Sequence, residues 1–135
     1  MTAGYSTTPL AEKLGFKPGM RAFIADMPAS VRAEIALDSL GLELLAAPGA
    51  GIDAAHVFVT ERARLDCELS ALRQLIAPSG FVWVSWPKKA AKVDTDVTED
   101  VIRELALPLG LVDVKVCAVD EIWSGLKLMI RKELR

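Results

Sequence analysis

Cysteine, histidine and aromatic residues are scarce in this chain, and each shortage removes a class of chemistry. Cys67 and Cys117 are the only cysteines, too few for a disulfide framework and too far apart in sequence for a metal knuckle. His56 is the only histidine. No second imidazole exists to share a metal, and no metal site is expected. A cysteine nucleophile would have to find this one imidazole as its base. No apolar run approaches the ~20 residues of a membrane span. The opening Met1-Thr2-Ala3-Gly4-Tyr5-Ser6 carries no basic segment ahead of an apolar core. The expectation is a cytoplasmic protein with no membrane partner. The formal net charge of −2 offers nothing to a nucleic acid through bulk electrostatics.

Apolar residues are plentiful. They make up 52% of the chain, which suits a sheet covered on both faces, and they leave room for a self-association surface and a homo-oligomer. At 135 residues, one domain spanning 1–135 is expected.

The pattern of those residues alternates between strand and helix. Thr8 caps a short helix with Pro9 at its first position, Leu10 and Leu14 on one face and Gly15 at its end. Arg21–Ala25 reads as a buried strand. Ser30 is the expected cap of a second helix that stops at Gly41. Residues 42–46 form a short strand, and His56–Val59 another. Thr60 caps a helix whose Leu65, Leu69, Leu72 and Ile76 share a stripe. Pro78-Ser79-Gly80 turns the chain into the strand Phe81–Trp86. Asp96, with Glu99 as capping-box partner, begins a helix carrying Val97, Val101 and Leu105 along one side. Residues 111–119 alternate, with Val112, Val114, Val116 and Ala118 on one face. The turn Asp120-Glu121 is too short for a parallel crossover, so the strand that follows, residues 122–130, is antiparallel. The whole predicts an α/β fold, mostly parallel with a C-terminal antiparallel hairpin and helices on both faces.

Lys17-Pro18-Gly19-Met20-Arg21-Ala22-Phe23 and Leu75-Ile76-Ala77-Pro78-Ser79-Gly80-Phe81-Val82-Trp83-Val84-Ser85 carry a resemblance. They are similar to the lead-in to the first strand and to the "L-x-P-G-G-x-L-x-I-S" stretch of S-adenosylmethionine-dependent methyltransferases, with Ser79 where a glycine is usual. That resemblance implies a trimmed Rossmann-like, methyltransferase-type sheet. It also implies a cofactor loop, and here the chain departs from the pattern. The loop's glycine positions hold Asp26 and Pro28, its acidic position holds Ile24, and the second strand ends Leu45-Ala46-Ala47 without a carboxylate for the ribose. Tyr5–Leu10, Trp86–Lys89, Asp96–Val101 and Trp123–Lys127 further resemble, in order, a family of small bacterial proteins catalogued only as a domain of unknown function, which implies no activity.

Several residues stand out as candidate contacts. Lys88 and Lys89 follow Trp86 and Pro87 at a strand's carboxyl end, where open α/β sheets bind ligands. Two ammonium groups there suit a phosphate or carboxylate, and Trp86 is either a stacking surface or core. Asp26 lies across the same crevice. Asp113, Lys115 and Cys117 share the face opposite the valines, as a salt pair beside a thiol or as part of a cleft. Asp120 and Trp123 bracket the hairpin turn and either serve a partner or pack. The carboxylates of residues 94–100 lack the glycine of a calcium loop and read as helix capping. The expected function is a non-catalytic binding or interaction module that has lost standard S-adenosylmethionine binding, with no cofactor. The alternatives are an enzyme or sensor for a small anionic ligand and a divergent methyltransferase that keeps S-adenosylmethionine.

Overall fold

The structure, a computed structural model, describes residues 9–135; Thr8 and most of the Tyr5–Leu10 motif lie outside them. In chain order the elements are α1 (Leu10–Leu14), β1 (Arg21–Ala25), α2 (Ala29–Glu34), β2 (Glu43–Leu45), β3 (Ile52–Phe58), α3 (Arg62–Arg73), β4 (Ile76–Pro87), α4 (Glu99–Ala106), β5 (Leu111–Ala118) and β6 (Trp123–Ile130). The six strands form one sheet in the order β2-β1-β3-β4-β6-β5. The pairs β1–β2, β1–β3 and β3–β4 are parallel, whereas β6 enters antiparallel between β4 and β5. This is the expected α/β arrangement with its closing hairpin. No helix among the described residues is long and apolar enough to cross a membrane.

Alternation along the central strands sends side chains into two cores. On one face Ala22, Ala54, Phe81 and Trp83 pack with Leu14 of α1 and with Ile35 and Leu37, which follow α2. On the other, Ala55, Val57, Val82 and Val84 meet Leu65, Leu69 and Leu72 of α3 and Ile102 and Ala106 of α4. Residues 81–87 of β4 are buried without interruption because helices cover both its faces. Burial of these side chains supplies most of the driving force, roughly 1.5–3 kcal/mol for each large aliphatic one.

The helix ends differ from the sequence expectation. Pro28 occupies the N-cap position of α2, which places Ser30 inside the helix. The helix stops well before Gly41, at Ile35, and Ala36 is left-handed at φ 51°. Thr98, not Asp96, caps α4, its hydroxyl accepting the Val101 N–H at 3.2 Å. The buried stripe of α4 is therefore Ile102 and Ala106, with Val101 and Leu105 at its half-buried margin. Thr60 makes no cap for α3. Asp96 performs that task from 34 residues away: its Oδ1 accepts the Arg62 N–H at 2.6 Å, while the Thr95 hydroxyl donates to the Thr60 carbonyl at 2.7 Å. These two bonds tie the loop before α4 to the start of α3. Asp96→Ala should cost about 1 kcal/mol, read as a melting midpoint a few degrees lower. Added calcium should leave the midpoint where it was.

Two strands are irregular. Pro78–Gly80 does not leave the sheet as a turn; it swells β4 between the Ile52↔Ile76 and Ala54↔Phe81 pairs. Gly80 lies so close to β3 that a Cβ would stand 2.8 Å from the Ile52 carbonyl oxygen, so any side chain there would push backbone apart. In β5 the register shifts between Asp113 and Lys115. This bulge flips the alternation: Val114 and Val116 are exposed, and Cys117 turns into the core beside Trp83.

Candidate functional site

The carboxyl ends of the parallel strands carry two concavities. The larger, about 520 Å³, lies where β4 runs out. Trp86, Pro87, Lys88 and Lys89 form one wall, and Val93, Thr95 and Val97 to Asp100 form the other. Trp86 belongs to the α3–α4 core and is largely buried, yet it borders the cleft. The Lys88 backbone N–H extends the ladder by donating to the Ile122 carbonyl at 2.7 Å. Its ammonium donates to the Asp120 carbonyl at 2.6 Å. Lys89 is exposed at the rim. On the opposite wall the Glu99 carboxylate is held by Arg103, and Asp100 faces solvent.

The smaller concavity, about 210 Å³, lies at the ends of β1 and β3 and is lined by Asp26, Phe58, Val59, Thr60, Glu61, Arg64 and Trp123. Asp26 follows β1 directly and is left-handed at φ 57°, a conformation that aspartate tolerates better than most residues. Its carboxylate pairs with the Arg64 guanidinium at 2.7 Å. This ion pair bridges the place where the methyltransferase fold would offer a glycine-rich turn of free N–H groups. Pro28 has no N–H to offer, and β2 ends at Leu45 in a stretch without a carboxylate. The residues present do not fit the standard mode of holding S-adenosylmethionine.

Asp26 thus faces the smaller concavity, while Trp86, Lys88 and Lys89 line the larger. The hairpin residues do not gather into one surface. Asp113 stands opposite Leu128 and pairs with Arg103 at 3.1 Å, whereas Lys115 stands opposite Lys127 on the other face, so the two do not form a salt pair. Asp120 Oδ1 accepts the N–H groups of Ile122 and Trp123 at 2.8 and 2.7 Å, which closes the turn. Trp123 packs edge-on against Phe58, ring centroids 5.1 Å apart.

Sequence reasoning missed one polar pair. His56 sits mid-strand in β3, fully buried, with Nε2 2.7 Å from the Ser85 Oγ of β4 and its ring stacked 4.4 Å from Phe58. Burial pushes its pKa down to about 3, so the imidazole is neutral. Its Nδ1 has no partner among the described residues. Ser85 is as buried as His56, so the pair is sealed from any substrate and belongs to the core. The signal available in the sequence was that both residues stand on the same face of neighbouring strands.

No protein-family model matches the chain, and no curated protein sequence matches it. Solved structures do. A S-adenosylmethionine-dependent methyltransferase from Aquifex aeolicus aligns over 90% of this chain and 87% of its own, with a TM-score of 0.59 and 16% identity. A putative sarcosine dimethylglycine methyltransferase from Galdieria sulphuraria gives a TM-score of 0.63 at 9% identity, covering 90% of this chain and 84% of that one. Magnesium protoporphyrin IX methyltransferase from Synechocystis PCC 6803, with S-adenosylmethionine bound, gives 0.59 at 12% identity over 91% and 74%. At such identities the likeness is one of fold: a methyltransferase-type sheet, here of six strands.

Proposed function

We propose that this chain is a cytoplasmic, non-catalytic binding or interaction module, one domain over residues 1–135, that keeps the methyltransferase scaffold without its standard S-adenosylmethionine site. The observation that carries this reading is the end of β1, where Asp26 and Arg64 pair across the position of the cofactor loop. A ligand at ~100 times its dissociation constant would stabilise the fold by ~2.7 kcal/mol. Thermal melts with S-adenosylmethionine and with its demethylated product should therefore show no shift. A raised midpoint with either, matched by heat of binding in calorimetry, would overturn the reading in favour of a divergent methyltransferase, the alternative that the structural neighbours support. The other alternative, an enzyme or sensor for a small anionic ligand, draws support from the cleft at Lys88 and Lys89. Small phosphates and nucleotides in the same melts test it.

A further inference from the structure

Lysine and arginine are used differently in this molecule. Every ion pair among the described residues takes its cation from an arginine. Four lysines converge instead on the sheet face that carries α1: Lys13 from that helix, Lys17 from the turn after it, Lys115 from β5 and Lys127 from β6. Lys115 and Lys127 stand directly opposite each other in the β5–β6 ladder. Like charges so placed destabilise a sheet. The Lys115 ammonium reaches the Lys13 carbonyl at 3.4 Å, and Lys127 Nζ lies 4.5 Å from the centroid of the Phe81 ring. Burial, with the nearby charges of Lys115 and Lys17, holds the Lys127 pKa below the ordinary lysine range. A chain of net charge −2 has ample carboxylates to neutralise such a cluster. It spends them on arginines elsewhere, and local conflicts of this kind concentrate where a protein meets something else.

We propose that Lys13, Lys17, Lys115 and Lys127 form a docking face for an acidic segment of a partner protein. Opposite charge is what the face lacks, and complementary potentials select and steer partners. None of the four lysines lines the concavities at the strand ends or the one beside α2, so the face suits an extended occupant better than a small molecule. Half-buried Val112 and Met129 and exposed Val114 lie among or beside the lysines and offer apolar contact to such a segment. A single-stranded nucleic acid would instead look for an aromatic to stack on, and Phe81 is buried beneath Lys127. The inference does not depend on what the strand-end clefts hold.

Fluorescence anisotropy with labelled poly-L-glutamate of about 20 residues tests it, with an oligouridylate of the same length as comparison. Two variants spare the fold: Lys115→Gln with Lys127→Met, which keeps a donor for the Lys13 carbonyl and a stem over Phe81, and Lys17→Glu in an exposed turn. Each should weaken polyglutamate binding at least tenfold, and raising salt from about 20 to about 150 mM should weaken wild-type binding roughly as much. The double variant's melting midpoint should rise by about 2 °C as the like-charge opposition is relieved. Four results would each overturn the proposal: no binding of polyglutamate by the wild type, a loss under tenfold in the variants, tighter binding of oligouridylate, or a midpoint that falls in the double variant.

Discussion

Acidification from neutral pH toward pH 3 is expected to remove about 5 kcal/mol of folding stability through His56 alone. In the folded protein the imidazole stays neutral until its pKa of about 3, because burial among Phe16, Phe58 and Trp83 disfavours the charged form. In the unfolded chain the same group takes up a proton near the ordinary 6.5. Between those values the unfolded state binds more protons, so stability is complete above pH 6.5 and falls as the pH drops, by about 1.4 kcal/mol per unit, until the folded state also protonates. Urea titrations at pH 7, 5.5 and 4 would measure the slope. The His56→Leu, Ser85→Ala double variant removes the titrating group and its hydroxyl partner together, and its acid limb should retain only the shallower decline due to carboxylates. Equal slopes in wild type and variant would show that His56 is protonated, or solvated, in the folded state.

Trp83→Ala should be among the most damaging single substitutions in the molecule, at about 4–5 kcal/mol. The indole is fully buried at the centre of β4, and truncating a large buried aromatic costs 3–5 kcal/mol through lost burial and the cavity left behind. A second loss adds to it, because the indole N–H donates to the Leu14 carbonyl at 2.7 Å and fastens α1 to the sheet. Without it that buried carbonyl stands unpaired. Gly125 on β6 is matched to the same ring: a Cβ there would lie 3.1 Å from Trp83 Cε3, so the tryptophan fills the space that the glycine leaves. Trp83→Phe keeps most of the packing and loses the bond, and should cost about 1–2 kcal/mol. Denaturant midpoints that rank wild type, Phe and Ala in that order would support this account. A phenylalanine variant as stable as wild type would show that the Leu14 bond contributes nothing.

The sheet was legible because burial on both faces writes near-continuous apolar runs, as in residues 56–59 and 81–86, and because a two-residue turn at Asp120-Glu121 admits only an antiparallel partner. The caps were less legible. Asp96 is followed by Glu99 and reads as a local capping box, yet its carboxylate serves a helix that starts earlier in the chain. No local pattern reveals a bond across 34 residues. The valines of β5 misled for a related reason: strict alternation assumes a regular ladder, and one extra residue reverses every side chain beyond it. Around the strand ends, the departures at Ile24, Asp26 and Pro28 and the end of β2 at Leu45-Ala46-Ala47 were visible only against the methyltransferase pattern that the chain resembles. The pairing of Asp26 with Arg64 was beyond the sequence, since it joins residues far apart in the chain that only the fold brings together. The lysine face was hidden altogether, its members being drawn from α1, the turn after it, β5 and β6.

The same bulge bears on whether the sheet can be continued by a strand from another chain. β5 is a terminal strand, with a neighbour on one side only and with Val114 and Val116 outermost. A straight ribbon of that composition would invite another chain to continue the ladder, and from there to build aggregates. The extra residue at Val114 breaks the spacing of its donors and acceptors, and the charges of Asp113 and Lys115 flank the break. An incoming strand would meet an interrupted template at this edge.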